Sequence, residues 1–142
     1  MMNQVPIRED AHAVVAAQWG RRLAVQLGFS LVEQTAISTA ILEIARNIAK
    51  YAGHGQITLH TLADGACVGI EVIAADSGPG IADIALALQD GYTTGKGLGL
   101  GLPGARRLMD SFEIVSQPGA GTTITMRKWR TSTDHRDKPG GL

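Results

Sequence analysis

The chain has 142 residues, and its 13 basic and 13 acidic side chains give a formal net charge of zero. Because neither sign forms a long block, nucleic acid and anionic membranes are disfavoured as partners, and because Cys67 is the one cysteine, no intrachain disulfide is possible. The length predicts one domain, and the lack of an apolar signal segment or of a run of about 18 apolar residues predicts a soluble cytoplasmic protein.

Hydrophobic periodicity predicts an α+β fold. The expected elements, in chain order, are a strand over residues 4–8, helices over 11–27 and 30–51, strands over 56–63 and 67–75, a short helix over 81–88, a loop over 90–96, a helix over 100–109, and strands over 111–116 and 122–129. Gly28 is expected to end the first helix, Ser30 and Glu33 to form a capping box for the second, and Asp64-Gly65 to form a tight hairpin turn.

This order of elements predicts a two-layer α/β sandwich in which helices cover one face of a mixed sheet. Residues 1–130 are expected to form the domain. The polar, glycine-rich segment 131–142 has almost nothing to bury, so we expect it to be a disordered tail.

A carboxylate and a carboxamide lie four residues apart on the second predicted helix. Glu43 and Asn47 therefore project from one face, where Glu43 is suited to accept a proton and Asn47 to supply an oxygen to a hard cation such as Mg²⁺. The alternatives are a solvated Asn47 and, for Glu43, a solvated helix side chain or an ion pair with Arg46 or Lys50.

A lone acid, Asp76, ends an apolar strand just before a turn of small residues. A carboxylate in such a place needs a hydrogen-bond donor, and the exocyclic amine of adenine is one. Gly78 and Gly80 would let the chain pass close to the base. The alternative is that Asp76 accepts backbone N–H groups of the turn that follows it.

A glycine-rich run precedes the last predicted helix, where backbone N–H groups and the helix dipole favour phosphate. Its members are Gly97, Leu98, Gly99, Leu100 and Gly101, with the leucines pointing inward as anchors. The run matches neither the P-loop pattern nor a dinucleotide fingerprint. Lys96 and Arg46 are candidates for neutralising phosphate charge, with a solvated surface role as the alternative for both. The three motifs together predict a purine nucleotide site.

In these three motifs the chain resembles the GHKL ATPase/kinase superfamily, which has the Bergerat ATP-binding fold. Within it, residues 41–55, 76–81, 97–110 and 126–129 are most similar to the RsbT-type serine/threonine switch kinases of bacterial stress signalling. The likeness covers roughly residues 3 to 130. It implies ATP and Mg²⁺ as cofactors, Asn47 as the magnesium ligand, Glu43 as the catalytic base and Asp76 as the adenine contact. Thr122 matches the threonine that supports this adenine contact, although a plain strand threonine is the alternative.

The resemblance also implies a function. It predicts a kinase that phosphorylates a STAS-domain protein, as in stressosome-type complexes, and that acts in partner switching by activating a PP2C-type phosphatase. One alternative is an anti-sigma factor kinase that binds a sigma factor. The alternative from another class is a non-catalytic module in which ATP only stabilises a partner-binding shape.

Overall fold

Five strands and three α-helices account for most of the computed structural model, which describes residues 3–79 and 101–131. In chain order the elements are β1 (Gln4–Ile7), α1 (Asp10–Gln26), α2 (Leu31–Asn47), a π-helical turn (Ile48–Ala52), β2 (Gly55–Asp64), β3 (Cys67–Asp76), α3 (Gly101–Leu108), β4 (Ser111–Gln117) and β5 (Gly121–Trp129). The short helix expected over 81–88, the loop over 90–96 and the tail from residue 132 lie outside the described residues.

The strands form one sheet in the order β1-β2-β3-β5-β4. All four pairings among the described strands are antiparallel, so the prediction of a mixed sheet was wrong in this detail. The reason is in the connections. Two helices between β1 and β2 return the chain to the end of the sheet where β1 finished, and the hairpin of β4 and β5 places β5, not β4, beside β3.

The helices cover one face of this sheet, as the predicted two-layer sandwich requires. The α2 side chains Ile37, Ile41 and Ile44 are buried against sheet residues that include Val72 and Met126. The helices α1 and α2 pack closely because Gly20 has no side chain: a Cβ there would lie 2.2 Å from Cδ1 of Ile41. The fold class and its layers are therefore confirmed.

The turn between α1 and α2 follows the predicted signals. Gly28 has φ +82, and the N–H groups of Gly28 and Phe29 donate to the carbonyls of Val25 and Ala24, which ends α1 in a Schellman motif. Ser30 and Glu33 form the reciprocal capping box that begins α2.

The segment after β5 returns to this turn. The Arg130 guanidinium donates to the carbonyl of Leu27 (2.8 Å), and the backbone N–H of Thr131 donates to Oε2 of Glu33 (2.7 Å). We call the set Leu27, Ser30, Glu33, Arg130 and Thr131 the α1–α2 corner. It fixes the end of the last strand to the beginning of α2.

In the described ranges, every helix is too short or too polar to cross a membrane.

Candidate functional site

Three polar side chains lie side by side at one end of the sheet. Asp76 on β3 is paired with Thr122 on β5, and Thr122 is paired with Ser116 on β4. Residues directly opposite one another share a face of the sheet, so these side chains form one row. Thr122 is 7% exposed, which places the row on the face that the helices cover. An open groove at this end is lined by all three residues.

Asp76 uses one of its two carboxylate oxygens within the described structure. Oδ1 accepts the backbone N–H of Gly78 (2.9 Å) and that of Thr122 (3.3 Å). The bond from Gly78 is the local interaction that the sequence offered as an alternative to adenine binding. Both bonds end on Oδ1, however, so Oδ2 is the oxygen that a ligand amine would meet.

The backbone around Asp76 tolerates only glycine at two positions. A Cβ on Gly121, which has φ +96, would lie 2.2 Å from the Asp76 carbonyl oxygen. A Cβ on Gly78 would lie 2.6 Å from Cβ of Ala52. Gly78, which is predicted to let the chain pass close to the base, must also be small because of its contact with the π-helical turn. Gly80 lies outside the described residues.

The C-terminal end of α2 meets the same region. The turn that follows Asn47 and the end of β3 both pack against Gly55 of β2, where a Cβ would lie 2.8 Å from Cγ2 of Ile48 and 3.0 Å from Cβ of Asp76. The loop after Asp76 is in contact with Ala52 through Gly78. The first two sequence motifs, far apart along the chain, are thus neighbours in space.

The first residue of α3 lies against Asn47. A Cβ on Gly101 would be 3.7 Å from Nδ2 and 3.9 Å from Oδ1 of Asn47. The end of the glycine-rich run therefore reaches the predicted magnesium ligand. The rest of that run, Gly97, Leu98, Gly99 and Leu100, and the preceding Lys96 are outside the described residues.

The predicted base is placed one helical turn before Asn47. Glu43 and Asn47 are half-buried, whereas Arg46 is exposed. In the part of the chain that the structure describes, Glu43 forms no ion pair with Arg46 or Lys50, and the Lys50 ammonium lies 5.2 Å from the centre of the Tyr51 ring. The ion-pair alternative for Glu43 is thus not realised among these residues.

Sequence reasoning missed Ser116. Its Oγ lies 2.7 Å from Oγ1 of Thr122, so it belongs to the row that includes Asp76. A signal was present: with Gln117 paired to Gly121 around the turn, Ser116 must be opposite Thr122. We had treated the turn as a connection only and had not assigned its register.

Comparisons with known proteins found a family model and several relatives. A family model described as the histidine kinase-, DNA gyrase B- and HSP90-like ATPase matches residues 32–132. The serine/threonine-protein kinase RsbT of Bacillus subtilis (strain 168) is 50% identical over 125 residues, which are 88% of this chain and 94% of that protein. An anti-sigma F factor of Thermoanaerobacter sp. (strain X514) is 37% identical over 125 residues, covering 84% of this chain and 82% of that protein.

Two solved structures share the fold. The mycobacterial sensor histidine kinase MprB has a TM-score of 0.54 at 17% identity, over 90% of this chain and 98% of that one. The RsbU and RsbW domains of a Mycobacterium tuberculosis protein give a TM-score of 0.58 at 20% identity, over 92% of this chain and 34% of that one. At such identities the likeness concerns the fold alone.

Proposed function

Since the chain belongs to the family of histidine kinase-, DNA gyrase B- and HSP90-like ATPases, we propose that it transfers a phosphoryl group from magnesium-bound ATP to a serine or threonine of a STAS-domain protein. The superfamily inferred from the sequence is confirmed by this membership. The enzyme class, a serine/threonine protein kinase, is confirmed by the relative that is 50% identical over 88% of the chain.

The observation that carries the proposal is the meeting of three motifs at one end of the sheet. Asn47 lies against Gly101, and the turn after Asn47 lies against Gly55, whose neighbour across the strands is Asp76. A carboxylate, a carboxamide and the start of a glycine-led helix thus surround one site. These are the groups that a purine, a hard cation and a phosphate would require.

The residues present fit a magnesium nucleotide. Asp76 would hold the adenine amine through Oδ2, Asn47 would hold Mg²⁺ through its amide oxygen, and Gly101 marks the helix end that would face phosphate. Bound ATP supplies the phosphoryl group, and its metal ion neutralises the phosphate charge. Lys96 and Arg46 are further candidates for phosphate contact.

Glu43 is the residue that we propose as the base. It precedes Asn47 by one turn on the same face of α2, and it is half-buried. Its carboxylate would accept the proton of the incoming serine or threonine hydroxyl, which leaves the oxygen free to attack phosphorus. Positioning by Asp76 and Asn47 would contribute the rest of the rate enhancement.

Protein partners are proposed from the relatives. The relatives are the serine/threonine-protein kinase RsbT and an anti-sigma F factor. We propose a STAS-domain protein as the substrate, a PP2C-type phosphatase as the partner that the kinase activates, and the cytoplasm as the location. The resemblance of residues 41–55 and 97–110 to the switch-kinase branch supports this choice.

A second candidate is an anti-sigma factor kinase. It is favoured by the relatives named anti-sigma F factor, at 37% identity over 84% of the chain. The higher identity to RsbT places this candidate second. A module that only binds ATP is third, because such a module has no need for Glu43 beside Asn47.

The test is phosphorylation in vitro. The purified chain is incubated with γ-labelled ATP, magnesium and a panel of STAS-domain proteins from the same genome, and the phosphorylated residue is mapped by mass spectrometry. We expect magnesium-dependent labelling of one serine or threonine. A parallel pull-down against sigma factors separates the two kinase candidates.

Labelling of a STAS-domain protein without sigma-factor binding supports the switch-kinase proposal. Labelling together with sigma-factor capture replaces it with the anti-sigma candidate. ATP binding without any labelling of the panel contradicts both and favours the binding module.

A further inference from the structure

We infer that Ser116 is a positioning residue that holds the Thr122 hydroxyl as a hydrogen-bond acceptor beside Asp76, so that the site favours 6-amino purine nucleotides over 6-oxo ones. The inference rests on the proposed ATP site. It assigns to β4 a part in nucleotide selection.

The geometry places two hydroxyl groups and a carbonyl together. Oγ of Ser116 lies 2.7 Å from Oγ1 of Thr122 and 3.2 Å from the carbonyl oxygen of Gly121. Thr122 is buried, and Ser116 is half-buried. Both contacts are within hydrogen-bond distance.

We assign the direction of each bond from the protons that the two contacts of Ser116 share. A carbonyl oxygen has no proton, so Ser116 must donate in its contact with Gly121. A serine hydroxyl has one proton. The bond to Thr122 is therefore donated by Thr122, whose own proton is then in use. What Thr122 offers to a ligand is a lone pair.

Thr122 and Asp76 would present acceptors to the same part of a ligand. The backbone N–H of Thr122 donates to Oδ1 of Asp76, which holds the two residues side by side. An adenine amine has two protons and suits two acceptors. The carbonyl oxygen of an inosine or guanosine nucleotide at that position is repelled by both.

Removing the Ser116 hydroxyl frees the Thr122 proton. Thr122 then becomes able to donate to a 6-oxo group, while Asp76 still accepts from an amine. Ser116→Ala should thus reduce the preference for 6-amino over 6-oxo nucleotides more than it weakens the binding of ATP. A role limited to folding would change the affinities for both nucleotides together.

The experiment measures dissociation constants for ATP and ITP by calorimetry, with magnesium, for the wild type and for Ser116→Ala, Ser116→Cys and Ser116→Thr. We expect the preference for ATP over ITP to fall about tenfold in the alanine and cysteine variants, since a thiol sulfur is a weak acceptor for the Thr122 proton, and to be kept in the threonine variant. Affinity for ATP should change less than about threefold. Thr125→Ala is the matched control, because Thr125 lies on the opposite face of β5 and does not line the groove.

An unchanged preference in Ser116→Ala, with normal ATP binding by the wild type, overturns the role of Ser116 and leaves the proposed function intact. If the alanine variant does not fold, the cysteine variant gives the same decision. A wild type that binds neither nucleotide overturns the proposed function and this inference with it.

Discussion

Glu33 at the α1–α2 corner and Asp76 at the end of β3 both accept backbone N–H groups, but they use their oxygens differently. Glu33 accepts from Ser30 through Oε1 (2.9 Å) and from Thr131 through Oε2 (2.7 Å). Asp76 accepts two N–H groups through Oδ1 alone. A carboxylate with both oxygens engaged by the protein serves the fold, whereas one that keeps an oxygen can serve a ligand.

The environment of Glu33 fits a structural role. Its side chain is 6% exposed. Burial by itself raises the pKa of Glu33, but hydrogen bonds from Thr131 and Ser30 outweigh burial and hold the pKa below its usual value. The charged form is therefore the one that the folded corner stabilises.

The helix α2 joins the two regions, because it begins at the corner with Ser30 as its N-cap and ends at Asn47. Chemistry is expected only at its C-terminal end. Substitutions at the two ends of this helix should therefore have different effects on stability, nucleotide binding and phosphoryl transfer.

The largest expected effect is on transfer. Glu43→Gln removes the proposed proton acceptor but keeps Asn47 and Asp76, so phosphorylation of the substrate should slow by about 100- to 10,000-fold while ATP affinity is retained. Single-turnover assays with labelled ATP measure the rate, and calorimetry measures the affinity. Glu113→Gln, at an exposed position on β4, is the matched control. If Glu43→Gln transferred phosphate at the wild-type rate, Glu43 would not be the base. If the variant instead lost affinity for ATP, Glu43 would be assigned to binding of the metal ion.

The next effect concerns the backbone around Asp76. Gly121→Ala should destabilise the fold by about 2–5 kcal/mol, because its Cβ would collide with the Asp76 carbonyl oxygen and its φ is unfavourable for alanine. Gly119→Ala is the control: its φ is +80, but a Cβ there meets nothing within 4 Å, so about 1 kcal/mol is expected. Urea unfolding measures the free energy of unfolding of both variants. An equal loss of stability in the two would show that the close approach of Gly121 to Asp76 does not contribute to stability.

A smaller effect is expected at the corner. Glu33→Gln supplies one acceptor oxygen for two N–H donors, so the free energy of unfolding should fall by about 1–3 kcal/mol with ATP affinity unchanged. Glu9→Gln, at an exposed position without a capping bond, should be neutral within about 0.5 kcal/mol. Weakened ATP binding in folded Glu33→Gln would show that the two regions are coupled.

The stabilising effect of Glu33 should depend on pH, and Glu33→Gln tests this. Because the pKa of Glu33 is lowered by folding, its stabilising contribution is complete above the ordinary glutamate pKa of about 4.3 and is lost as the pH falls through the lower pKa of the folded state. The difference in unfolding free energy between wild type and Glu33→Gln should therefore shrink on acidification across that range. A difference that stays constant would exclude the Glu33 charge as the stabilising feature.

In each of the two regions, local signals in the sequence predicted the features that depend on neighbouring residues. Ser30 and Glu33 are three residues apart, so the capping box was predictable, and so was the position of Asp76 at the end of a strand. The second partner of each carboxylate was not. Thr131 is 98 residues from Glu33, and Thr122 donates to Asp76 across 46 residues, so both contacts depend on sheet order.

Sheet order was also where the fold prediction failed. Hydrophobic periodicity identified the strands but not their neighbours, and so a mixed sheet was expected where β5 lies antiparallel between β3 and β4. Because the register of β4 and β5 was not predicted, Ser116 was not recognised as the partner of Thr122. The contact of Gly78 with Ala52 could not be predicted either, because it depends on how the π-helical turn packs beside the end of β3.

The most direct test of the difference between the two carboxylates is calorimetric titration of wild type, Asp76→Asn and Glu33→Gln with magnesium and ATP. Asparagine keeps an acceptor for Gly78 and Thr122 but places a donor where Oδ2 would meet the adenine amine. Asp76→Asn should therefore lose on the order of 2 kcal/mol or more of binding, about thirtyfold, and circular dichroism should show a native fold. Glu33→Gln should bind as the wild type does. Wild-type affinity in folded Asp76→Asn would contradict the account.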